Sequence, residues 1–152
     1  MKIKDVMVTN VKACGPDDKL ESVAMVMWNN DCGSIPVVDA AGKAIGIVTD
    51  RDISMAAALN HKALWDMTPR EIMNGRALHT CRTEDDIKSA LKTMWAQKVR
   101  RLPVVDDAGA LRGILSVDDL VACAERGTRG LRAPELSYDD AITALKAVCR
   151  HH

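Results

Sequence analysis

The sequence predicts a mixed α/β (α+β) fold made of two copies of a β-α-β-β-α unit. Two observations carry this prediction. First, the chain of 152 residues repeats itself, because four matching segments recur at a spacing of 67 positions. Second, a helical apolar periodicity in each copy is followed by two β-branched runs separated by a glycine turn. A repeat of fewer than ~70 residues buries little apolar surface alone, so we expect the copies to pack about a pseudo-two-fold axis.

The repetition sets the predicted boundaries. The recurring segments are Asp17–Leu20 with Glu84–Ile87, Met27–Trp28 with Met94–Trp95, Ile35–Asp39 with Leu102–Asp106, and Gly46–Thr49 with Gly113–Ser116. A leading element, Asp5–Met7, recurs as Glu71–Met73 at a spacing of 66, so one extra residue follows it in the second copy. We expect copy one at residues 1–60, a linker at 61–69, copy two at 70–124, and a C-terminal loop and helix at 125–152.

The first half of each copy is predicted to be a short strand and a helix. In copy one, Val11–Cys14 has the alternation of a strand. The helix is expected to open near Pro16, where Asp18 and Glu21 have the spacing of a capping box. Gly33 suits the end of this helix. Its buried face is expected to consist of Leu20, Val23, Ala24, Met27 and Trp28.

The second half of each copy is predicted to be a hairpin and a helix. Ile35–Val38 and Ala44–Val48 are the strands, and a glycine turn joins them. The helix Asp50–Leu59 follows at once. Copy two has the same plan, with Thr83 and Asp86 as the capping box of its first helix. Outside the copies, we expect a turn in the linker near Leu64 and Trp65, and an amphipathic helix over Tyr138–Val148.

Composition and charge exclude several classes of protein. Lys plus Arg and Asp plus Glu are equal, at 21 each, which gives no electrostatic reason to bind nucleic acid or an anionic membrane. No run approaches the ~20 apolar residues of a membrane span. The five cysteines are odd in number and lack C-x-x-C spacing, so we read them as reduced thiols of a cytoplasmic protein and expect no metal site. No catalytic motif is present, and we expect no enzyme activity.

The motif that carries chemistry is a hydroxyl followed three residues later by an acid. It occurs as Thr49 and Asp52, and again as Ser116 and Asp119, each where a strand meets a helix. One interpretation is a helix capping box. The other is a ribose site, because a carboxylate accepts hydrogen bonds from both hydroxyls of a sugar diol. The two interpretations are compatible.

These segments resemble the cystathionine-β-synthase (CBS) domain family. The resemblance covers residues 1–123 and is carried by Asp5–Met7, Ile35–Asp39 and Gly46–Asp52, with their counterparts Glu71–Met73, Leu102–Asp106 and Gly113–Asp119. It implies a Bateman module, in which two repeats leave two clefts between them. In relatives these clefts hold AMP, ADP, ATP, S-adenosylmethionine or a dinucleotide as a regulatory ligand, with no required cofactor.

The resemblance also implies which residues touch the ligand. One cleft would be built from Thr49, Asp52, Leu78, His79, Arg100, Arg101 and Pro103, and the other from Lys12, Gly33, Ser34, Pro36, Ser116 and Asp119. The arginine pair would face phosphates in the first cleft, although such a pair is also common at exposed helix ends. Arg51 is a further phosphate candidate.

The resulting hypothesis is a regulatory module that binds an adenine nucleotide and signals to a partner protein, with a homodimer as the expected assembly. The alternative is a structural dimerisation scaffold or an accessory subunit with vestigial clefts. Binding to DNA through Arg126, Arg129 and Arg132 is a weaker alternative, because the chain is neutral overall.

Overall fold

The structure is a computed structural model of the chain, and it describes residues 1–73, 75–125 and 134–149. The α-helices are α1 (Leu20–Asn29), α2 (Asp50–Asn60), α3 (Pro69–Met73), α4 (Ile87–Gln97), α5 (Val117–Cys123) and α6 (Tyr138–Cys149). The strands are β1 (Ser34–Val38), β2 (Ala44–Thr49), β3 (Cys81–Arg82), β4 (Arg101–Val105) and β5 (Leu111–Ser116). Single 3₁₀ turns occupy Ile3–Asp5 and Leu64–Asp66. The predicted mixed α+β class is confirmed.

The strands form two small sheets. In the first, β1 and β2 are antiparallel, with Ser34 opposite Thr49 and Val37 opposite Gly46. Cys14 adds a single parallel bridge beside Val37. In the second sheet the order is β3-β4-β5, and β3 runs parallel to β4. Because the β1–β2 turn needs a left-handed residue, Gly42 takes it with a φ of 76°.

The chain divides into two compact units that do not coincide with the sequence repeats. The repeat-one unit comprises Asn10–Leu78 and Ala108–Leu111. The repeat-two unit comprises Met1–Thr9, His79–Asp107 and Arg112–His152. The repeat-two unit therefore includes the first nine residues of the chain, and the repeat-one unit includes α3, the leading helix of the second repeat.

The core of the repeat-one unit forms where α1 and α2 cover one face of the β1–β2 hairpin. Apolar spacing at 20, 23 and 27 places one stripe of α1 inward, as the sequence predicts. The linker contributes Met67, and the backbone N–H of Leu20 donates to the carbonyl of Met67 at 3.0 Å. The buried side chains are Cys14, Leu20, Val23, Met27, Ile35, Val37, Val48, Ile53, Ala56 and Met67.

The core of the repeat-two unit has the same plan and one additional helix. Helix α6 packs against α4 and α5. Its buried residues recur at helical spacing and are small, which explains this position because small side chains let helices approach closely. The buried residues of α6 are Ala141, Ala144 and Val148. At the other end of the chain, the N–H of Ile3 donates to the carbonyl of Asp85 at 3.0 Å, which fixes the N-terminal segment to this unit.

One glycine in each hairpin marks the close approach of a leading element. A Cβ added at Gly113 would lie 2.6 Å from the carbonyl oxygen of Val8. A Cβ added at Gly46 would collide with the side chain of Met73, at the end of α3. A larger residue at Gly113 would displace the backbone segment that covers its hairpin, whereas one at Gly46 would displace the side chain of Met73.

The structure corrects five local predictions. Val11–Cys14 is not a strand, since only Cys14 of this segment forms a bridge. Helix α1 begins at Leu20 without a side-chain cap, and the carboxylate of Asp18 instead accepts the N–H of Gly15 at 2.7 Å. The capping box predicted at Thr83 and Asp86 is also wrong. Helix α4 begins after Asp86, whose side chain caps the helix without Thr83 by accepting the N–H of Lys88 at 2.9 Å.

The end of α1 also differs from the prediction. The helix stops at Asn29, and Asp31 takes the left-handed conformation with a φ of 48°, so Gly33 does not end it. Trp28 does not belong to the buried face, since it is 83% exposed. The tail predicted as a loop, with Arg126, Arg129 and Arg132, lies outside the described residues.

Candidate functional site

The two predicted hydroxyl–acid motifs stand in equivalent positions, each at the start of the helix that follows a hairpin. Thr49 caps α2: its Oγ1 accepts the N–H of Asp52 at 3.1 Å, and Oδ2 of Asp52 accepts the N–H of Thr49 at 2.9 Å. Ser116 caps α5 in the same way, and the distances to and from Asp119 are 3.2 and 2.7 Å. The capping interpretation is therefore confirmed in both repeats.

The carboxylates of Asp52 and Asp119 differ in how many of their oxygen atoms already accept a hydrogen bond from a described residue. Oδ2 of Asp119 also accepts the hydroxyl of Ser116 at 2.5 Å, so the two hydrogen bonds that Ser116 donates converge on one oxygen. Within residues 1–73, 75–125 and 134–149, Oδ1 of Asp119 has no hydrogen-bond or ion-pair partner. That oxygen can accept a further donor without disturbing the cap.

The first carboxylate carries an additional bond that sequence reasoning missed. Nη1 of Arg76 donates to Oδ1 of Asp52 at 2.7 Å, and the Asp52 side chain is only 16% exposed. Burial raises the pKa of Asp52, but hydrogen bonds from Arg76 and Thr49 outweigh it and leave the pKa below its usual value. The one sequence feature that pointed to this bond was the position of Arg76, in the stretch where the second copy has its extra residue.

Other predicted residues lie beside the motif of their own repeat. Ser34 is the register partner of Thr49, and the carbonyl of Gly33 accepts the N–H of Asp50 at 3.2 Å. In the repeat-two unit, the carbonyl of Arg100 accepts the N–H of Val117 at 3.0 Å. In each unit, therefore, the first strand of the hairpin begins beside the residue at which the second strand ends and the following helix starts.

The remaining predicted residues are distributed between the two units. Pro36 and Pro103 are buried within β1 and β4, Lys12 is exposed, and Leu78 and His79 are half-buried. The repeat-one unit holds Lys12, Gly33, Ser34, Pro36, Thr49, Asp52 and Leu78, and the repeat-two unit holds His79, Arg100, Arg101, Pro103, Ser116 and Asp119. The assignment of one ligand to residues of both repeats stays a prediction.

The structure contains two further findings that concern function. Among the described residues, no group of three or more His, Cys, Asp and Glu side chains is arranged to hold a metal ion. In the same part of the chain, no helix has both the length and the apolar character required to cross a membrane.

The cysteines are all free, and burial raises the pKa of Cys14 and of Cys81 to about 12.

A comparison with known protein families shows to which family the chain belongs. The model of the CBS domain matches twice, at residues 3–58 and 70–125. The chain belongs to the CBS domain family. Solved structures agree: Hypoxic Response Protein I, with two coordinated zinc ions, matches with a TM-score of 0.74 at 25% identity, covering 82% of this chain and 100% of its own.

Two other CBS structures carry adenosyl ligands. The CBS domain pair of protein MJ0100, in complex with 5′-methylthioadenosine and S-adenosyl-L-methionine, has a TM-score of 0.69 at 23% identity over 80% of this chain and 94% of its own. CBSX2 in complex with AMP has a TM-score of 0.66 at 23% identity over 80% of this chain and 93% of its own. At this identity the likeness shows the fold alone.

Curated relatives carry the CBS match within longer chains. Homoserine O-acetyltransferase of Methanohalophilus mahii is 33% identical over 85% of this chain and 26% of its own length. Inosine-5′-monophosphate dehydrogenase of Methanocaldococcus jannaschii is 33% identical over 79% of this chain and 23% of its own. The chain thus spans about a quarter of these two relatives.

Proposed function

We propose that this tandem CBS chain is a regulatory module that binds an adenosyl ligand at the carboxylates of Asp52 and Asp119. The single observation that carries the proposal is the geometry of Asp119, whose Oδ2 is held by Ser116 at 2.7 and 2.5 Å while Oδ1 has no partner among the described residues. A fixed, half-buried carboxylate with an acceptor to spare is suited to a vicinal diol, because charge-assisted hydrogen bonds of this kind contribute about 1.5–3 kcal/mol each.

The chemical class of ligand follows from the sugar and from the solved relatives. AMP, S-adenosylmethionine and 5′-methylthioadenosine all carry a ribose diol, and these are the ligands named for MJ0100 and CBSX2. ADP, ATP and a dinucleotide share this diol. In the proposal, Arg100 and Arg101 meet the phosphates where the ligand has them, since a guanidinium binds phosphate in a bidentate manner.

The proposed role is regulation and not catalysis. A ligand changes the conformation or the partner preference of the module only if it binds one state more tightly than another, and we propose that a partner protein reads this difference. We place the protein in the cytoplasm, because five cysteines without a pairing pattern suit a reducing compartment. No cofactor is required by this role.

A second candidate function, dimerisation, is favoured by the apolar surface of the repeat-one unit. Met25 and Trp28 project from α1 one turn apart, and Met55 and Leu59 project similarly from α2. We call these four exposed residues the α1–α2 patch. In the other unit, α6 packs against the corresponding helices α4 and α5, where Trp95 and Val121 remain 58% and 42% exposed. An uncharged apolar patch is complementary to itself, so we propose that a second copy of the chain covers it in a two-fold dimer.

Replacing Asp119 tests the ligand site. Asp119→Asn keeps an acceptor oxygen for the cap but removes the charge that strengthens bonds to the diol. We expect the affinity for AMP, ATP or S-adenosylmethionine at this site to fall by roughly 10- to 100-fold in isothermal titration calorimetry. The matched control is Asp118→Asn, which removes the same charge from the adjacent exposed position of α5.

The outcomes separate the two candidate functions. A wild-type protein that shows no heat of binding and no thermal stabilisation with any of these ligands would be a scaffold, since a bound ligand must stabilise the folded state by mass action. Binding that is equally tight in wild type and in folded Asp119→Asn protein would refute the role of this carboxylate.

A further inference from the structure

The two motif carboxylates are unequal, because Asp52 alone has a cationic partner in the described part of the chain. Oδ1 of Asp52 accepts Nη1 of Arg76 at 2.7 Å, whereas Oδ1 of Asp119 has no partner within the described part of the chain. Arg76 belongs to the same compact unit as Asp52, and its side chain is 58% exposed. The half-buried carboxylate of Asp52 therefore already carries a cation on the oxygen that a diol would need for a second hydrogen bond.

Among the residues that the structure describes, this pairing occurs in one repeat only. Arg76 follows the leading element of the second copy, in the stretch where that copy has its extra residue. The positions 66 and 67 residues earlier hold Asn10 and Thr9, and neither side chain is charged. Repetition of the unit therefore does not generate an equivalent cation beside Asp119.

The position of Arg76 has a consequence for a diol. A sugar diol that hydrogen-bonds to both oxygens of Asp52 must share or replace the guanidinium at Oδ1, because Oδ1 already accepts Nη1 of Arg76. Arg76 would then lose part of its own pairing. A neutral nucleoside has no anion with which the released Arg76 guanidinium can pair, whereas a ligand with a phosphate provides one.

We propose that Arg76 is a specificity-determining residue of the site at Asp52, selecting anionic nucleotides against neutral nucleosides. The inference rests on the proposed function, since it assumes that Asp52 binds a ribose. It also predicts that the two sites differ, with the site at Asp119 accepting nucleosides and nucleotides without this selection.

The test compares adenosine with AMP in protein whose second site is silenced by Asp119→Asn. Adding Arg76→Met removes the guanidinium and keeps an aliphatic side chain. Because a partly exposed ion pair is weak, we expect adenosine affinity to rise roughly 3- to 10-fold, while AMP affinity does not rise, so that the preference for AMP falls. The control is Arg70→Met, which removes an arginine paired with Asp17 in the same unit.

A second measurement varies the salt concentration. Raising the ionic strength screens the Arg76–Asp52 pair, so adenosine should bind the Asp119→Asn protein more tightly at high salt, and this gain should vanish with Arg76→Met. Adenosine affinity that is unchanged by Arg76→Met and by salt would overturn the inference while leaving the ligand site intact. Protein that binds neither ligand, with Asp119 intact, would instead refute the proposed function and the inference with it.

Discussion

At the scale of single residues, the motif acids have a structural role that is separable from any ligand. Each acid closes a capping box at the start of a helix, and this was predictable from spacing because a hydroxyl and an acid three residues apart meet within one helical turn. The bond from Arg76 was not predictable, since it joins residues 24 positions apart and depends on how the segment after α3 folds back.

The ionised form of Asp52 should stabilise the fold. The pKa of Asp52 is lowered in the folded state, so the unfolded chain takes up a proton first as the pH falls. The contribution is complete above the unfolded pKa of ~4 and is lost as the pH drops through the lower folded pKa. We expect Asp52→Asn to destabilise the protein by about 1 kcal/mol at neutral pH and by progressively less in acid.

Urea unfolding of wild-type and Asp52→Asn protein between about pH 7 and about pH 3 measures this difference. The neighbouring exposed acid provides the control, as Asp50→Asn removes a charge from the same turn without breaking the cap. A stability difference that stays constant across the whole range would contradict the assignment of the lowered pKa to this pair.

At the scale of elements, the sequence predicted which segments form hairpins and helices better than it predicted the residues at which they begin and end. The hairpin β1–β2 was predictable because β-branched runs flank a glycine turn. The start of α1 was not, because Asp18 bonds to Gly15 across a loop and so competes with the cap it was expected to form. The exposure of Trp28 depends on which helix faces are covered, and the sequence of α1 alone does not specify this.

The two hairpin glycines should tolerate alanine unequally. At Gly113 the new methyl group meets the carbonyl oxygen of Val8 at 2.6 Å, and that oxygen also accepts the N–H of Ile114 at 3.0 Å. At Gly46 it meets the end of the flexible Met73 side chain, which can reorient. We expect Gly113→Ala to cost about 1–3 kcal/mol and Gly46→Ala clearly less. Equal losses in chemical denaturation would contradict this account.

At the scale of the whole molecule, the distribution of apolar surface favours self-association. The α1–α2 patch leaves Trp28 83% and Leu59 72% exposed, and exposed apolar side chains of this size are characteristic of interfaces. The family model ends at residue 125, before α6, so the helix that packs against α4 and α5 lies outside the CBS match.

Charge introduced into the α1–α2 patch should therefore separate the proposed dimer. We expect the wild-type chain to sediment as a dimer and the double variant Trp28→Glu, Leu59→Glu to sediment as a folded monomer, because burying an unpaired carboxylate at an interface is strongly unfavourable. Trp65→Glu alters an exposed tryptophan of the same unit outside this patch and should remain dimeric. A monomeric wild-type protein, or a double variant that remains dimeric, would exclude this interface.

The exchange of leading elements also affects how the polypeptide acquires its structure during translation. The unit that contains Met1–Thr9 also needs His79–Asp107, so the first nine residues leave the ribosome long before their binding surface has been made. Asn10–Leu78, by contrast, is nearly sufficient for the other unit. Synthesis from the N-terminus therefore favours completion of the repeat-one unit first, and Met1–Thr9 can pack into its own unit only after the second hairpin has been made.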